Sequence, residues 1–311
     1  MSSPLSENFL ISIIGPTAVG KTALAIQLAQ YFKTEILSAD SRQFYKELSI
    51  GTAKPDAIEL AAAPHHFINH LSIAEDYNAS DYEAEAISLL KKLFENYNTL
   101  ILCGGSGMYL DAVNQGFDAE VPSSDEQIRK ELNELMAREG ITALQSKLKE
   151  LDPIFYQKVD LHNSKRLLRA LEVCLISGKP YSEIRKGKGK ERPFKKLKIG
   201  LNMDREKLYE RINLRVDRMI DAGLLEEVKA VWPFREKNAL KTVGYRELFD
   251  YLDGRLTFEQ AVEKIKINSR RYAKRQLTWF KRDDEIHWFE PSQFTEIAKF
   301  VADKTKPYEQ S

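Results

Sequence analysis

IIGPTAVGKTALA, residues 13–25, decides how the rest of the chain is read. Its spacing Gly15-x-x-x-x-Gly20-Lys21-Thr22 follows the apolar run FLISII and precedes the helix-prone LAIQLAQYF. A glycine-rich turn that joins a strand to a helix in this way is a phosphate cradle. The glycines let backbone N–H groups approach an anion, and the N-terminus of the following helix adds its own free N–H groups. The Lys21 ammonium neutralises that anion, and the Thr22 hydroxyl is a hard oxygen donor suited to Mg2+. The residues expected at the phosphate are therefore Gly15, Pro16, Thr17, Ala18, Val19, Gly20, Lys21 and Thr22, with Thr22 also the metal ligand. The motif predicts a bound polyphosphate and leaves open whether the phosphate is transferred, hydrolysed or discarded.

Outward from this loop, residues 9–14 read as a strand and 21–32 as a helix. TEILSAD (34–40) is a second short strand and NTLILCGG (98–105) a third apolar run. Between them YNASDYEAEAISLLKKLFENY is helical, capped by Asn78 or Ser80. Strands alternating with helices predict a parallel sheet with both faces covered, whose ligands gather at the carboxyl ends of the strands. Those ends carry Gly15–Thr22, Asp40–Ser41 and Gly104–Ser106. From about 123 to 185, DEQIRKELNELMAREG, ITALQSKLKELD and NSKRLLRALEVCLISG all have helical spacing, with no strand between them. KLKIGLNM (196–203) returns to a strand pattern, and REKLYERINLRVDRMIDAGLLEEVKAVW reads as one long amphipathic helix. The fold class expected is α/β, a P-loop parallel-sheet core covered by helices, with an all-helical insertion. Its parts are 8–118 (first part of the core), 119–195 (the insertion, expected to bind RNA), 196–290 (second, mainly helical part) and 291–311 (a C-terminal tail).

With 311 residues, 43% hydrophobic and 30% charged, the chain can bury a full core. No apolar run reaches membrane-spanning length, and the N-terminus has no basic stretch followed by an apolar one. A cytoplasmic protein with no membrane partner is expected. Cys103 and Cys174 are the only cysteines and lack C-x-x-C spacing, which excludes a cysteine zinc site. The net charge of +1 conceals two basic runs, RKGKGKERPFKKLK (185–198) and SRRYAKRQLTWFKR (269–282), which suggest a local polyanion surface. Trp279 and Phe280 in the second run read as core. His65, His66 and His70 have no carboxylate or cysteine at ligand spacing and read as structural or pocket-lining.

A triphosphatase with such a loop has an aspartate at a strand end to hold Mg2+ through water. Here the LILC strand ends in Gly-Gly-Ser, and the carboxylate, Asp40, stands at the end of the second strand. There it faces an acceptor, so hydrolysis is disfavoured and a transferase whose acceptor needs a base is indicated. GPTAVGKTALA, SADSRQFYKELSIGTAKP, LCGGSGMYL, KRLLRALEV, VGYRE and RRYAKRQLTWF occur in this order. Together they resemble the bacterial-type tRNA dimethylallyltransferases (tRNA isopentenyltransferases, P-loop prenyltransferases) from about residue 10 to 290. The most specific piece is D-S-x-x-x-Y-x-x-x-x-I-G-T-A-K-P, from Asp40 to Pro55.

The resemblance implies transfer of a dimethylallyl group from its diphosphate to N6 of adenine 37 in the anticodon loop of tRNA, with Mg2+ as cofactor and diphosphate released. It implies Asp40 as general base, Lys21, Thr22 and Arg215 on the diphosphate, and Ser106, often Thr in the family, where the two substrates meet. It implies tRNA contact by Asp40, Ser41, Arg42, Gln43, Ser106, Arg129, Lys165, Arg166, Arg169, Lys241, Gly244, Tyr245 and Arg246. Lys165 departs from the family's common Gln, which leaves that position a phosphate contact. A monomer is expected. The chemistry agrees. An exocyclic adenine amine is a poor nucleophile, and a carboxylate that takes up its proton accelerates attack by about 10²–10⁴-fold, while cations stabilise the departing diphosphate. Rival readings are an adenylate isopentenyltransferase, a P-loop small-molecule kinase and a non-catalytic RNA-binding protein. The helical stretch 123–185 weighs against the first two, and the intact loop with Asp40 against the third.

Overall fold

The computed structural model describes residues 7–117, 121–122, 124–185 and 189–306. The extreme N-terminus read for a leader, the expected boundary at 118/119, part of the first basic run (186–188) and the end of the tail (307–311) lie outside the described residues. Six strands form one sheet: β1 (Phe9–Ile14), β2 (Ile36–Ser38), β3 (His65–His66), β4 (Thr99–Gly104), β5 (Lys195–Leu201) and β6 (Ile286–Phe289). Their order is β3-β2-β4-β1-β5-β6, and every pairing is parallel. FLISII lies at the centre with every residue buried, because strands covered on both faces need no polar alternation. Its side chains still alternate. Leu10 joins Leu100, Leu102, Tyr82 and Leu90 on one face, while Ile11 and Ile13 join Ile101, Ile199, Leu24 and Leu28 on the other. Each fully buried Leu or Ile contributes about 1.5–3 kcal/mol.

After β1 the chain crosses through the helix Lys21–Phe32 to β2, beyond β4; after β4 it returns to the opposite side of β1 as β5. That reversal opens a crevice at the carboxyl ends of the central strands. The helix Ala79–Leu93 is capped by Asn78, which accepts from Ser80 N and Asp81 N while Asp81 reciprocates, so of the two expected caps Asn78 is the one used. The long helix expected from 205 is broken: Arg205–Asp221 and Leu224–Ala230 are separated at Gly223, whose φ of 94° no helical residue adopts. The strands β3 and β6 were not expected, being short and led by histidine or interrupted by it. The expected tail carries a helix, Phe294–Thr305, whose Ile297, Ala298 and Val301 are buried at helical spacing against the Leu24–Leu28 face.

The chain divides into two compact units, Met1–Asn114 with Arg192–Ser311, and Gln115–Glu191. The second is helical, with Glu126–Glu139, Ile141–Leu151 and Ser164–Ser177 as its longer helices. They close over Leu132, Leu144, Leu148, Leu167 and Leu171. Among the described residues no helix is long and apolar enough to cross a membrane.

Candidate active site

The turn after β1 takes left-handed backbone at Ala18 (φ 64°) and Gly20 (φ 112°) before the helix starts at Lys21. Lys21 folds its ammonium back onto the loop, where Nζ donates to Pro16 O at 2.8 Å. Burial pushes its pKa down to about 8; the Asp40 carboxylate opposes this and Arg215 adds to the depression. Burial pushes the neighbouring Cys103 up to about 12, so at neutral pH that residue is a thiol. Thr22, half-buried, follows in the first turn.

Asp40 follows β2, and its Oδ1 accepts the Arg42 N–H at 3.1 Å, which fixes the carboxylate's orientation. The ends of β2 and β4 touch: a Cβ on Gly104 would lie 2.3 Å from Ala39 O. Only glycine fits there, and the contact brings the two strand-end motifs together. Ser106 Oγ accepts Ser41 N–H at 3.1 Å and lies 3.2 Å from Ser41 Oγ. Arg215, on Arg205–Asp221, has its pKa lowered by burial, with Asp40 opposing; guanidinium remains a cation throughout.

Asp40, Arg42 and Arg215 line a cavity of about 110 Å3 with two characters. Thr17, Asp40, Arg42, Arg215, Ser269 and Tyr272 make one side polar, with two guanidinium groups against one carboxylate, while Ile212, Val216, Met219, Val243 and Ile265 make an apolar wall. Tyr272 is 36% exposed as a whole, but desolvation of its hydroxyl at the cavity, opposed by a bond to Ser106, pushes that group up to about 12.

The helix Phe258–Phe280 contributes more than the sequence suggested. Besides Ile265, Ser269 and Tyr272 at the cavity, it carries Gln276, which was assigned no role. This buried amide accepts Thr17 N–H at Oε1 and donates from Nε2 to Gly105 O, each at 2.8 Å. It thus ties the loop after β1 to the turn after β4. The available signal was an uncharged amide among Lys and Arg, at helical spacing from Ala273 and Phe280. Trp279 packs against the core with Nε1 donating to Asp111 Oδ2 at 3.0 Å, and Phe280 is buried.

The residues expected at tRNA divide into several environments. Arg42 lines the cavity, and Ser41 is engaged with Ser106. Gln43 uses its amide locally, donating to Thr52 O and Ala53 O at 3.3 and 3.2 Å and accepting from Ser38 Oγ at 3.2 Å. Lys241 and Arg246 are exposed, and Gly244 lines the cavity. The Tyr245 side chain is wholly buried, and its hydroxyl donates to Glu227 at 2.6 Å. In the helical unit Lys165 and Arg166 are exposed. Arg129 and Arg169 instead share the wholly buried Glu172, and Arg169 also donates to Pro122 O at 2.6 Å. Burial raises the Glu172 pKa, but the two arginines outweigh it and hold the carboxyl below its ordinary range.

The histidines are structural. His66 Nε2 meets Glu35 at 2.6 Å, His65 Nδ1 meets Ala63 O at 2.8 Å, and the His70 ring packs edge-on among Phe44, Phe67 and Tyr77. Among the described residues no three or more His, Cys, Asp or Glu are grouped to hold a metal.

The IPP transferase family model matches residues 43–283. The chain is similar to the tRNA dimethylallyltransferase of Christiangramia forsetii, 53% identical over 297 residues that span 96% of this chain and 97% of that protein. It is 50% identical to tRNA dimethylallyltransferase 1 of Bacteroides thetaiotaomicron, over 94% of each chain. Among solved structures, it resembles the full-length tRNA isopentenylpyrophosphate transferase of Bacillus halodurans, with a TM-score of 0.72, 37% identity, and 96% and 97% of the two chains covered. It also resembles a eukaryotic dimethylallyltransferase acting on tRNA, with a TM-score of 0.82 and 26% identity over 98% of this chain and 81% of that one.

Proposed function

This chain belongs to the IPP transferase family, and on that premise we propose that it transfers a dimethylallyl group from dimethylallyl diphosphate to N6 of adenine 37 in the anticodon loop of tRNA, releasing diphosphate. Membership makes it a tRNA-modifying transferase; the target base, the donor site and the acid–base chemistry are the substance of the proposal. The observation that carries it is the two-sided cavity beside Asp40. A cationic region with Thr17 and Arg215 suits a diphosphate, and a wall of Ile212, Val216, Met219, Val243 and Ile265 suits a short branched hydrocarbon.

In the reaction, the adenine N6 attacks the allylic carbon bound to oxygen, and the C–O bond breaks with its electron pair leaving on diphosphate. The amine loses a proton as the C–N bond forms, and Asp40 is the carboxylate that receives it. Lys21, Arg215 and the loop amides stabilise the charge that accumulates on the leaving group. Lys21 lets go of Pro16 O to do so. Bases in an anticodon loop are unpaired, so splaying one into the site is cheap.

Mg2+ prefers hard oxygen ligands and normally keeps waters and substrate phosphate oxygens in its shell. The donor set fits that habit. Thr22 supplies a hydroxyl in the first turn of the helix that follows the loop, and no cage of carboxylates competes among the described residues. Thr22 would hold the ion jointly with diphosphate, where it would add positive charge against the leaving group.

The test is mass analysis of tRNA nucleosides from a strain lacking this protein. N6-isopentenyladenosine and its derivatives should vanish, and a wild-type copy should restore them where an Asp40→Asn copy does not. Undiminished modification in the deletion strain would refute the proposal.

A further inference from the structure

The SIGTAK and VGYRE segments, both prominent in the sequence, take no direct part in this chemistry, yet one carboxylate joins them. Glu227, on Leu224–Ala230, accepts the N–H groups of Ser49 and Ile50 at Oε2, both at 2.8 Å. Its Oε1 accepts the Gly51 N–H at 3.0 Å and the Tyr245 hydroxyl at 2.6 Å. Four donors from two distant segments thus converge on one anion, and hydrogen bonds to an ionised acceptor are the stronger kind. Burial first, and then Glu227 itself, push the Tyr245 hydroxyl far above its ordinary range, so it remains a donor.

The two segments so joined border the cavity. Gly51 and Thr52 line it from one segment, Val243 and Gly244 from the other. Gly51 sits hard against the Tyr245 ring: a Cβ there would fall 2.6 Å from the ring. Glu227 itself does not line the cavity. A boundary made of main chain at Gly51 and Gly244 cannot recede by a rotamer change. It moves only if the segments move, and the bonds to Glu227 are what hold them.

We propose that Glu227 is the positioning residue that fixes the depth of the donor cavity and so restricts the enzyme to a five-carbon allylic diphosphate over a ten-carbon one. The inference rests on the donor reading given above. Glu227→Gln preserves the size of the side chain but turns an NH2 group toward backbone donors, which breaks the convergence. Tyr245→Phe removes one bond and keeps the ring behind Gly51.

The experiment measures kcat/KM for transfer to tRNA from dimethylallyl and from geranyl diphosphate, for wild type and both variants, with the thermal midpoint of each. Glu227→Gln should lower the ratio of the two values about tenfold, in the range set by a methylene-scale pocket difference. Tyr245→Phe should shift it less, in the same direction. A purely structural role would depress both donors alike, so an unchanged ratio overturns the inference. Should Glu227→Gln fail to fold, an unchanged ratio in Tyr245→Phe overturns it equally. A wild-type enzyme that transfers nothing from dimethylallyl diphosphate overturns the donor reading first and the inference with it.

Discussion

Raising the pH through 8 should weaken diphosphate binding before it disturbs the fold. Burial holds the Lys21 pKa at about 8 in the donor-free protein, against 10.5 for an ordinary lysine. Simple titration leaves the ammonium charged in about nine of ten molecules at pH 7, half at pH 8 and roughly one in eleven at pH 9. With only the cation competent to hold the anion, the apparent Kd rises about tenfold from pH 7 to 9, and diphosphate binding takes up a proton in that interval. The stability effect has the opposite sign. The unfolded lysine titrates near 10.5, so the folded state bears the cost of a buried cation below pH 8, and that cost fades as the pH climbs from about 8 to 10.5. The assay is calorimetric titration with Mg2+ and inorganic diphosphate at pH 7, 8 and 9, comparing wild type with Lys21→Arg. Arginine stays charged throughout, and the diphosphate's own ionisation is common to both proteins, so the difference between the profiles belongs to Lys21. Identical profiles would refute the reasoning.

Asp40→Asn keeps its acceptor for the Arg42 N–H but takes up no proton, so single-turnover transfer at saturating substrates should slow by about 10²–10⁴-fold; a near-normal rate would leave Asp40 a positioning role only. Arg166→Ala, at an exposed position, should weaken tRNA binding and lower the slope of log K against log salt by about 0.7–0.9. A filter-binding series over salt concentration reads it, and an unaltered slope puts the RNA elsewhere. Arg169→Ala should act through the fold, because it strips buried Glu172 of one of its two guanidinium partners; with Arg129 still in place, a loss of about 1.5–3 kcal/mol in urea unfolding is expected, and unchanged stability would contradict it. Gln276→Met leaves Thr17 N–H and Gly105 O without their partner. Since an unsatisfied buried group costs about 1–3 kcal/mol, donor affinity by calorimetry should drop, and an unaffected Kd would mean that the loop keeps its shape alone.

What the sequence made legible were the features encoded by neighbours. FLISII is a continuous apolar run, the glycines of the loop stand at fixed spacing before Lys21, and Asp40 and Ser106 fall just after strands that end abruptly. The first strand and helix accordingly have the bounds expected of them. The features missed depend on distant partners. Gln276 acquires meaning from two main-chain groups on other elements, and Glu227 from a loop joined to it only by folding. Motif resemblance does not reveal burial either: Tyr245, expected at the RNA, has its side chain wholly inside the core unit. Arg169 and Glu172 are visible as an i,i+3 pair, but periodicity does not reveal that the carboxylate is wholly buried and shared with Arg129. The break at Gly223 had a local signal, a glycine inside the amphipathic pattern, outweighed by the apolar spacing on either side.

The helix Phe258–Phe280 works as a ruler. Along it Ile265, Ser269 and Tyr272 reach the cavity, Gln276 reaches the loop after β1 and the turn after β4, and Trp279 reaches Asp111, in fixed order. Each residue of an α-helix advances about 1.5 Å and turns through about 100°. Inserting or deleting one amino acid between Ile265 and Trp279 would therefore rotate every later contact off its partner at once, with no loop inside the helix to absorb the shift. Substitutions on its outer side are free to accumulate, but its length is not. Among variants of this chain, insertions and deletions should be found in the exposed turns and be missing from this stretch.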